Sequence, residues 1–183
     1  MSLPERYAWL DKVGTLPRTI SEGLKLLGVA EVVGRGSNKT IMSWRDELKA
    51  AGVEIEGYSD DDIPWCGLFA AIVTLRRAGN ASEVVKDPLW ARNWEKYSSK
   101  SPKPSLGDVL VFSRDKGGHV GFYVGEDSSC YHVLGGNQKN TVSIASLLKG
   151  RMIACRRPTY KDMPPSVKPY LLTSTGRIST NEA

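Results

Sequence analysis

Gly107-Asp108-Val109-Leu110-Val111-Phe112-Ser113-Arg114-Asp115-Lys116-Gly117-Gly118-His119-Val120-Gly121-Phe122-Tyr123-Val124-Gly125 is the stretch that decides the fold. Asp108–Ser113 is a short apolar run rich in β-branched and aromatic residues, Lys116-Gly117-Gly118 is turn chemistry, and His119–Val124 resumes as a second strand. Cys130–Leu134, Thr141–Ile144 and Met152–Arg156 repeat the pattern downstream, so the second half predicts an antiparallel meander. Upstream the period is helical. Pro4–Val13 predicts a short opening helix. Ile20, Leu24 and Leu27 recur at helical spacing after a Thr19-Ile20-Ser21-Glu22 start, and Ile41, Trp44 and Leu48 share one face before Gly52. Leu68, Phe69, Ile72 and Leu75 form the buried face of a helix ending at Gly79, with Pro64 at its first position and Asp62 or Ile63 as cap. Trp90–Tyr97 is a shorter helical stretch. Helices first and strands afterwards is the α+β pattern.

At 183 residues the chain suits one domain with a substantial core. That domain is expected over residues 1–157. Pro164-Pro165, Pro169 and a Ser/Thr-rich end make residues 158–183 an extended tail along it. With 40% apolar and 25% charged residues the composition excludes disorder, and no apolar run approaches the ~18–20 residues of a membrane-spanning helix. Met1–Arg6 lacks a basic cluster leading into an apolar stretch, so synthesis in the cytoplasm is expected. The net charge of +5 fits attraction to a polyanion. The basic residues do not form a stripe interleaved with aromatics, which disfavours nucleic acid.

Three cysteines, Cys66, Cys130 and Cys155, have neither a paired framework nor metal-ligand spacing, so reduced thiols are expected. Cys66 falls in the first turn of its helix, where unpaired N–H groups and the helix dipole favour a thiolate nucleophile. A buried structural cysteine is the competing reading. His119, following a Gly-Gly turn, is placed at a sheet end where it could take the thiol proton. A polar strand terminus is the alternative there. Asp60-Asp61-Asp62 invites a calcium ion at Asp60 and Asp62, but lacks the alternating oxygen spacing of an EF-hand, and helix capping explains the run without a metal. Neither a metal nor any other cofactor is expected. Trp65 and Trp90 suit either core packing or a ligand groove.

Pro64-Trp65-Cys66-Gly67-Leu68-Phe69, Gly107–Phe112, Gly118–Gly125 and Val133-Leu134-Gly135-Gly136-Asn137-Gln138 occur in an order that resembles the NlpC-type and CHAP (cysteine, histidine-dependent amidohydrolase/peptidase) superfamily. The likeness is greatest to its small bacteriophage endolysins and runs from about Thr19 to Arg157; the ending Ser179–Ala183 also looks like theirs. The resemblance implies a papain-like fold in which Cys66 attacks an amide of bacterial peptidoglycan and His119 serves as general base and acid. For the third member, Asn137 corresponds to the asparagine of CHAP enzymes, and Gly135-Gly136 could bend the backbone to aim its amide at His119. His132 lies near the second histidine of NlpC-type enzymes, and Gln138 could point inward instead. Gly135 stands where CHAP enzymes place a carboxylate, a departure from the pattern.

The resulting expectation is a monomeric cysteine amidase or endopeptidase, released to the cell wall by a separate pore protein and not stably inserted in a membrane. A phage tail lysin or an interbacterial effector would use the same chemistry. A catalytically silent wall-binding module is the alternative of a different class.

Overall fold

The computed structural model describes residues 3–115 and 117–172. A 3-10 helix, Glu5–Lys12, replaces the opening helix, and α1 spans Arg18–Leu24. Helix α2, Lys39–Ala50, is capped by the Asn38 side chain, which accepts from the N–H groups of Thr40 and Ile41. Its Ile41, Trp44 and Leu48 are fully buried, as their spacing predicts. Helix α3, Cys66–Ala78, is buried from Cys66 through Leu75 and stops at Gly79, whose φ of +68° supplies the left-handed turn.

The start of α3 corrects one expectation. Trp65, at φ −118° and ψ 18°, is the residue before the helix, so neither Pro64 nor the Asp62–Ile63 pair holds its expected place. The acidic run is engaged elsewhere. Asp61 Oδ2 accepts from the N–H groups of Asn38 (2.7 Å) and Val32 (3.1 Å), tying the run to the loop before α2, while Asp60 Oδ1 accepts from Asp62 N (3.2 Å). No side chain of the α3 cap residue satisfies the helix start.

Six strands follow: β1 (Ser99–Lys100), β2 (Val109–Arg114), β3 (Gly117–Glu126), β4 (Cys130–Gly135), β5 (Ser143–Leu148) and β6 (Met152–Arg157). They form one antiparallel sheet in the order β1-β6-β2-β3-β4-β5. The meander holds from β2 to β5, but β6 crosses back to pair with β2. A bidentate ion pair secures that crossover: Arg157 Nε and Nη2 donate to the two oxygens of the buried Asp108, each at 2.9 Å. β5 begins later than the Thr141 start read from sequence because Thr141-Val142 pairs with Val29-Ala30, with Val142 N–H donating to Val29 O at 2.7 Å.

The helices pack on the sheet through Trp65, Trp44, Phe69 and Phe122, whose successive ring centroids lie 5.9–6.2 Å apart. Each such side chain contributes about 2–3 kcal/mol of burial, enough to fix where α3 meets β3. A second cluster, including Leu110, Phe112, Tyr123 and Val133, occupies the other side of the pleat. After β6 the chain returns along the sheet, where Glu126 N–H donates to Tyr170 O and Leu172 N–H to Glu126 O. The rest of the expected tail, residues 173–183, lies outside the described residues.

Candidate functional site

The start of α3 and the first half of β3 meet at the backbone. The backbone N–H of Val120, the residue next to His119, is among the groups that favour the Cys66 thiolate. Cys66 is 5% exposed and His119 is fully buried. Among the described residues no hydrogen bond joins Cys66 Sγ to the His119 ring. They share instead the influence of Arg114, whose positive charge acts on both.

The sulfur and the imidazole are braced by one segment, Gly135–Gln138. Gly136 lies against Trp65, where an added Cβ would meet its ring at 2.7 Å. Asn137 turns the chain at φ +53°. Its amide, oriented to satisfy both neighbours, accepts from Trp65 N–H and donates to Glu31 Oε1, each at 3.2 Å. Gln138 reaches the other way, with Oε1 3.1 Å from His119 Nε2. The bend expected at Gly135-Gly136 is therefore present, yet it delivers Gln138 to the imidazole and Asn137 to the residue before the nucleophile candidate. Gly135 makes this possible. A Cβ there would lie 3.0 Å from Gln138 Cδ and 3.1 Å from His119 Nε2, so a carboxylate at that position is incompatible with the contact.

The hydrogen-bond pattern fixes the tautomer. Gln138 Nε2 faces the carbonyls of Ser143 (2.6 Å), Val133 (3.2 Å) and Gly135 (3.3 Å), so Oε1 must face His119. His119 Nε2 accordingly carries the proton, and Nδ1 presents its lone pair. Arg114 Nη2 donates to that lone pair at 3.1 Å. Burial, assisted by the Arg114 charge, lowers the His119 pKa to about 3, while Gln138 opposes the shift. Burial raises the Cys66 thiol, against the lowering effects of Arg114 and the N–H groups of Val120 and Gly67. The resting pair is a neutral thiol and a neutral imidazole.

His132 stands apart. Tyr7 OH lies 2.8 Å from its Nδ1 and Asp127 Oδ2 3.2 Å from its Nε2, with Arg6 Nη2 at the same nitrogen. These contacts clamp the opening 3-10 helix to β4, and none reaches His119. Cys130 and Cys155 are likewise free, buried thiols on other strands. Burial and then Asp108 push the Cys155 thiol up to about 12.

A groove of about 310 Å3 opens beside α3, lined by Glu54, Glu56, Pro64, Asp87, Leu89 and Trp90 among others. Gly67 sets its distance from the helix, since a Cβ there would meet the carbonyl oxygens of Pro88 and Leu89 at 2.3 and 2.6 Å. Trp90 is 68% exposed, whereas Trp65 is wholly core. A larger depression of about 530 Å3 around Arg77 and Tyr160 contains no cysteine or histidine. The three carboxylates at Asp60, Asp61 and Asp62 converge within 4.8 Å, and the buried member, Asp61, holds backbone N–H groups through Oδ2. Loop bracing accounts for the run.

Sequence reasoning missed Arg114 altogether. The signal available was a cation ending β2 across a short turn from His119; register places Phe112 opposite His119 and Arg114 opposite Gly117. No protein-family model matches the sequence, and no curated protein matches it.

Proposed function

We propose that the protein is a cysteine-dependent peptidoglycan hydrolase of papain-like architecture, with Cys66 as nucleophile, His119 as base and acid, and Gln138 rather than Asn137 as the orienting amide. The observation that carries this reading is the Gly135–Gln138 brace. It holds the residue before Cys66 and the ring of His119 from a single turn. Purely structural cysteines and histidines have no need of such a shared support.

In the reaction, the Cys66 thiol proton passes to His119 Nδ1 and the thiolate attacks the amide carbonyl carbon. As the tetrahedral intermediate collapses, the C–N bond breaks and His119 returns the proton to the departing amine. Water, deprotonated by the same nitrogen, then releases the acyl group and regenerates the thiol. Gln138 keeps the imidazole in the tautomer that this sequence requires, since its Oε1 can only accept. N–H groups at the start of α3 are the candidate donors for the oxyanion. The exposed Trp90, above a groove that runs to Pro64, suits stacking against a sugar or peptide face of the wall polymer.

Turbidity clearing of outer-membrane-permeabilised cells by wild type and Cys66→Ala tests the reading. Wild type should clear and the variant should not, with mass spectrometry of the released muropeptides naming the bond. Equal clearing by both removes the enzyme reading. Binding of peptidoglycan by both without cleavage by either supports the silent wall-binding module. Release from the cytoplasm through a separate pore protein is part of the same proposal.

A further inference from the structure

We propose that Glu31 is a positioning residue of this site: its ionised carboxylate ties the residue before Cys66 to the turn that orients His119. The proposal rests on the hydrolase reading and deepens it, since it names what keeps nucleophile and base in register.

Backbone pairing sets Glu31 in place. Ala30 bridges to Thr141, Glu31 N–H donates to Asn140 O at 2.9 Å, and Val32 N–H donates to Asp61 Oδ2 at 3.1 Å. The residue is thus fixed on both sides, and its side chain meets two donors. Glu31 Oε1 accepts from Trp65 Nε1 at 2.6 Å and from the Asn137 amide nitrogen at 3.2 Å. The Asn137 amide oxygen accepts from Trp65 N–H, also at 3.2 Å, which closes a triangle of three residues. Trp65 directly precedes α3 and packs against Gly136, while Gln138, one residue after Asn137, bonds the imidazole. Loosening the Glu31 corner therefore frees the helix start and the turn to move apart.

The charge matters as well as the shape. An indole N–H and an amide N–H only donate, and a carboxylate holds them about twice as strongly as a neutral acceptor does. Protonation of Glu31 therefore slackens the triangle without removing an atom from it. Burial first, and then the charges of Asp61 and Asp62, hold the Glu31 carboxyl above its ordinary value, against the Trp65 bond. Tyr58 faces the same corner. Burial, then Asp61, Glu31 and Asp60, raise its hydroxyl against the pull of Arg45, so it stays neutral. As the pH falls, the Glu31 carboxylate is lost at its raised value, before His119 takes a proton at about 3. The acid limb of the reaction is accordingly set by Glu31 and not by the base.

The test compares wild type, Glu31→Gln and Glu31→Ala on purified peptidoglycan from neutral to acidic pH, with circular dichroism confirming folded protein at each point. Glu31→Gln keeps the acceptor without the charge, so kcat at neutral pH should fall about 3- to 10-fold with KM unchanged. Glu31→Ala should fall further. The acid limb of Glu31→Gln should move to lower pH, since the group that sets it no longer titrates. A second readout needs no substrate. The Trp65 indole N–H resonance, assigned with Trp65→Phe, should shift with pH in wild type and stay level in Glu31→Gln. A wild-type kcat in Glu31→Gln overturns the proposal, and so does a lower kcat with an unmoved acid limb, which marks a structural brace only. An indole that titrates alike in both proteins, or in neither, also overturns it, although the hydrolase reading stands if the wild type cuts. A wild type whose indole titrates but which cuts nothing ends the hydrolase reading and this proposal with it.

Discussion

The molecule contains two buried imidazoles on neighbouring strands, His119 on β3 and His132 on β4, and both are kept neutral chiefly by burial. What surrounds them differs. His132 is closed among a hydroxyl, a carboxylate and a cation, Tyr7 on Nδ1 and Asp127 with Arg6 on Nε2, so every ring atom that can bond has a structural partner. His119 is bonded by an amide on Nε2 and by a cation on Nδ1, beside a cysteine-bearing helix start. Burial alone does not distinguish a structural histidine from a reactive one. The difference lies in the element each ring serves: His119 is tied to the Gly135–Gln138 turn that also braces Trp65, and His132 to the opening 3-10 helix.

The largest test of this contrast is activity. Cys66→Ser and His119→Ala should each lower the lysis rate by roughly 10^3-fold or more while circular dichroism stays unchanged. His132→Ala should leave the specific activity of the folded protein within about threefold, and lower its urea stability by roughly 2 kcal/mol as Tyr7 and Asp127 lose their shared partner. A loss of catalysis confined to His132→Ala would break the comparison.

Acid stability comes next. Both imidazoles have folded pKa values below the ordinary 6.5, so the unfolded chain binds the proton more readily. Their contribution is therefore complete above about pH 6.5 and is lost as the pH falls, for His119 down to about 3. Urea midpoints measured from neutral to mildly acidic pH should drop steeply in wild type and more gently in His119→Ala. An identical slope in the two proteins would show that His119 is not held neutral by the fold.

Gln138→Ala should lower kcat by about 10- to 100-fold, because it frees the imidazole to rotate and to exchange tautomers. Asn137→Ala should cost only a few-fold, since its amide touches Trp65 and Glu31 and not the imidazole. The reverse order would return the orienting role to Asn137.

Much of this was legible in the sequence. Helices α2 and α3 declared themselves because Ile41, Trp44 and Leu48, and then Leu68, Phe69, Ile72 and Leu75, bury the faces that their spacing defines. The β2–β3 pair was equally clear, for its turn residues bound two apolar runs. The placement of β6 beside β2 was not, since it depends on the Asp108–Arg157 pair, whose members are far apart in the chain. Within the candidate site, Cys66 and His119 could be singled out by residue type, the one opening α3 and the other lying near the start of β3. The choice between Asn137 and Gln138 could not, because one step along a tight turn reverses the direction of a side chain. It required knowing that Gln138 Nε2 would find the carbonyl of Ser143.

The smallest expected effect sharpens the comparison from the structural side. In Tyr7→Phe the hydroxyl that donates to His132 Nδ1 is removed, which leaves His132 with an open lone pair and Nε2–H still on Asp127. Loss of that buried hydrogen bond should cost about 1 kcal/mol in urea unfolding at neutral pH. The freed nitrogen should also take up a proton more easily, since Asp127 favours the charged ring while a donor on the lone pair opposes it. The deficit relative to wild type should therefore shrink as the pH falls below about 6.5. Lysis by the folded variant should be unchanged, because none of the contacts of His132 reaches Cys66 or His119.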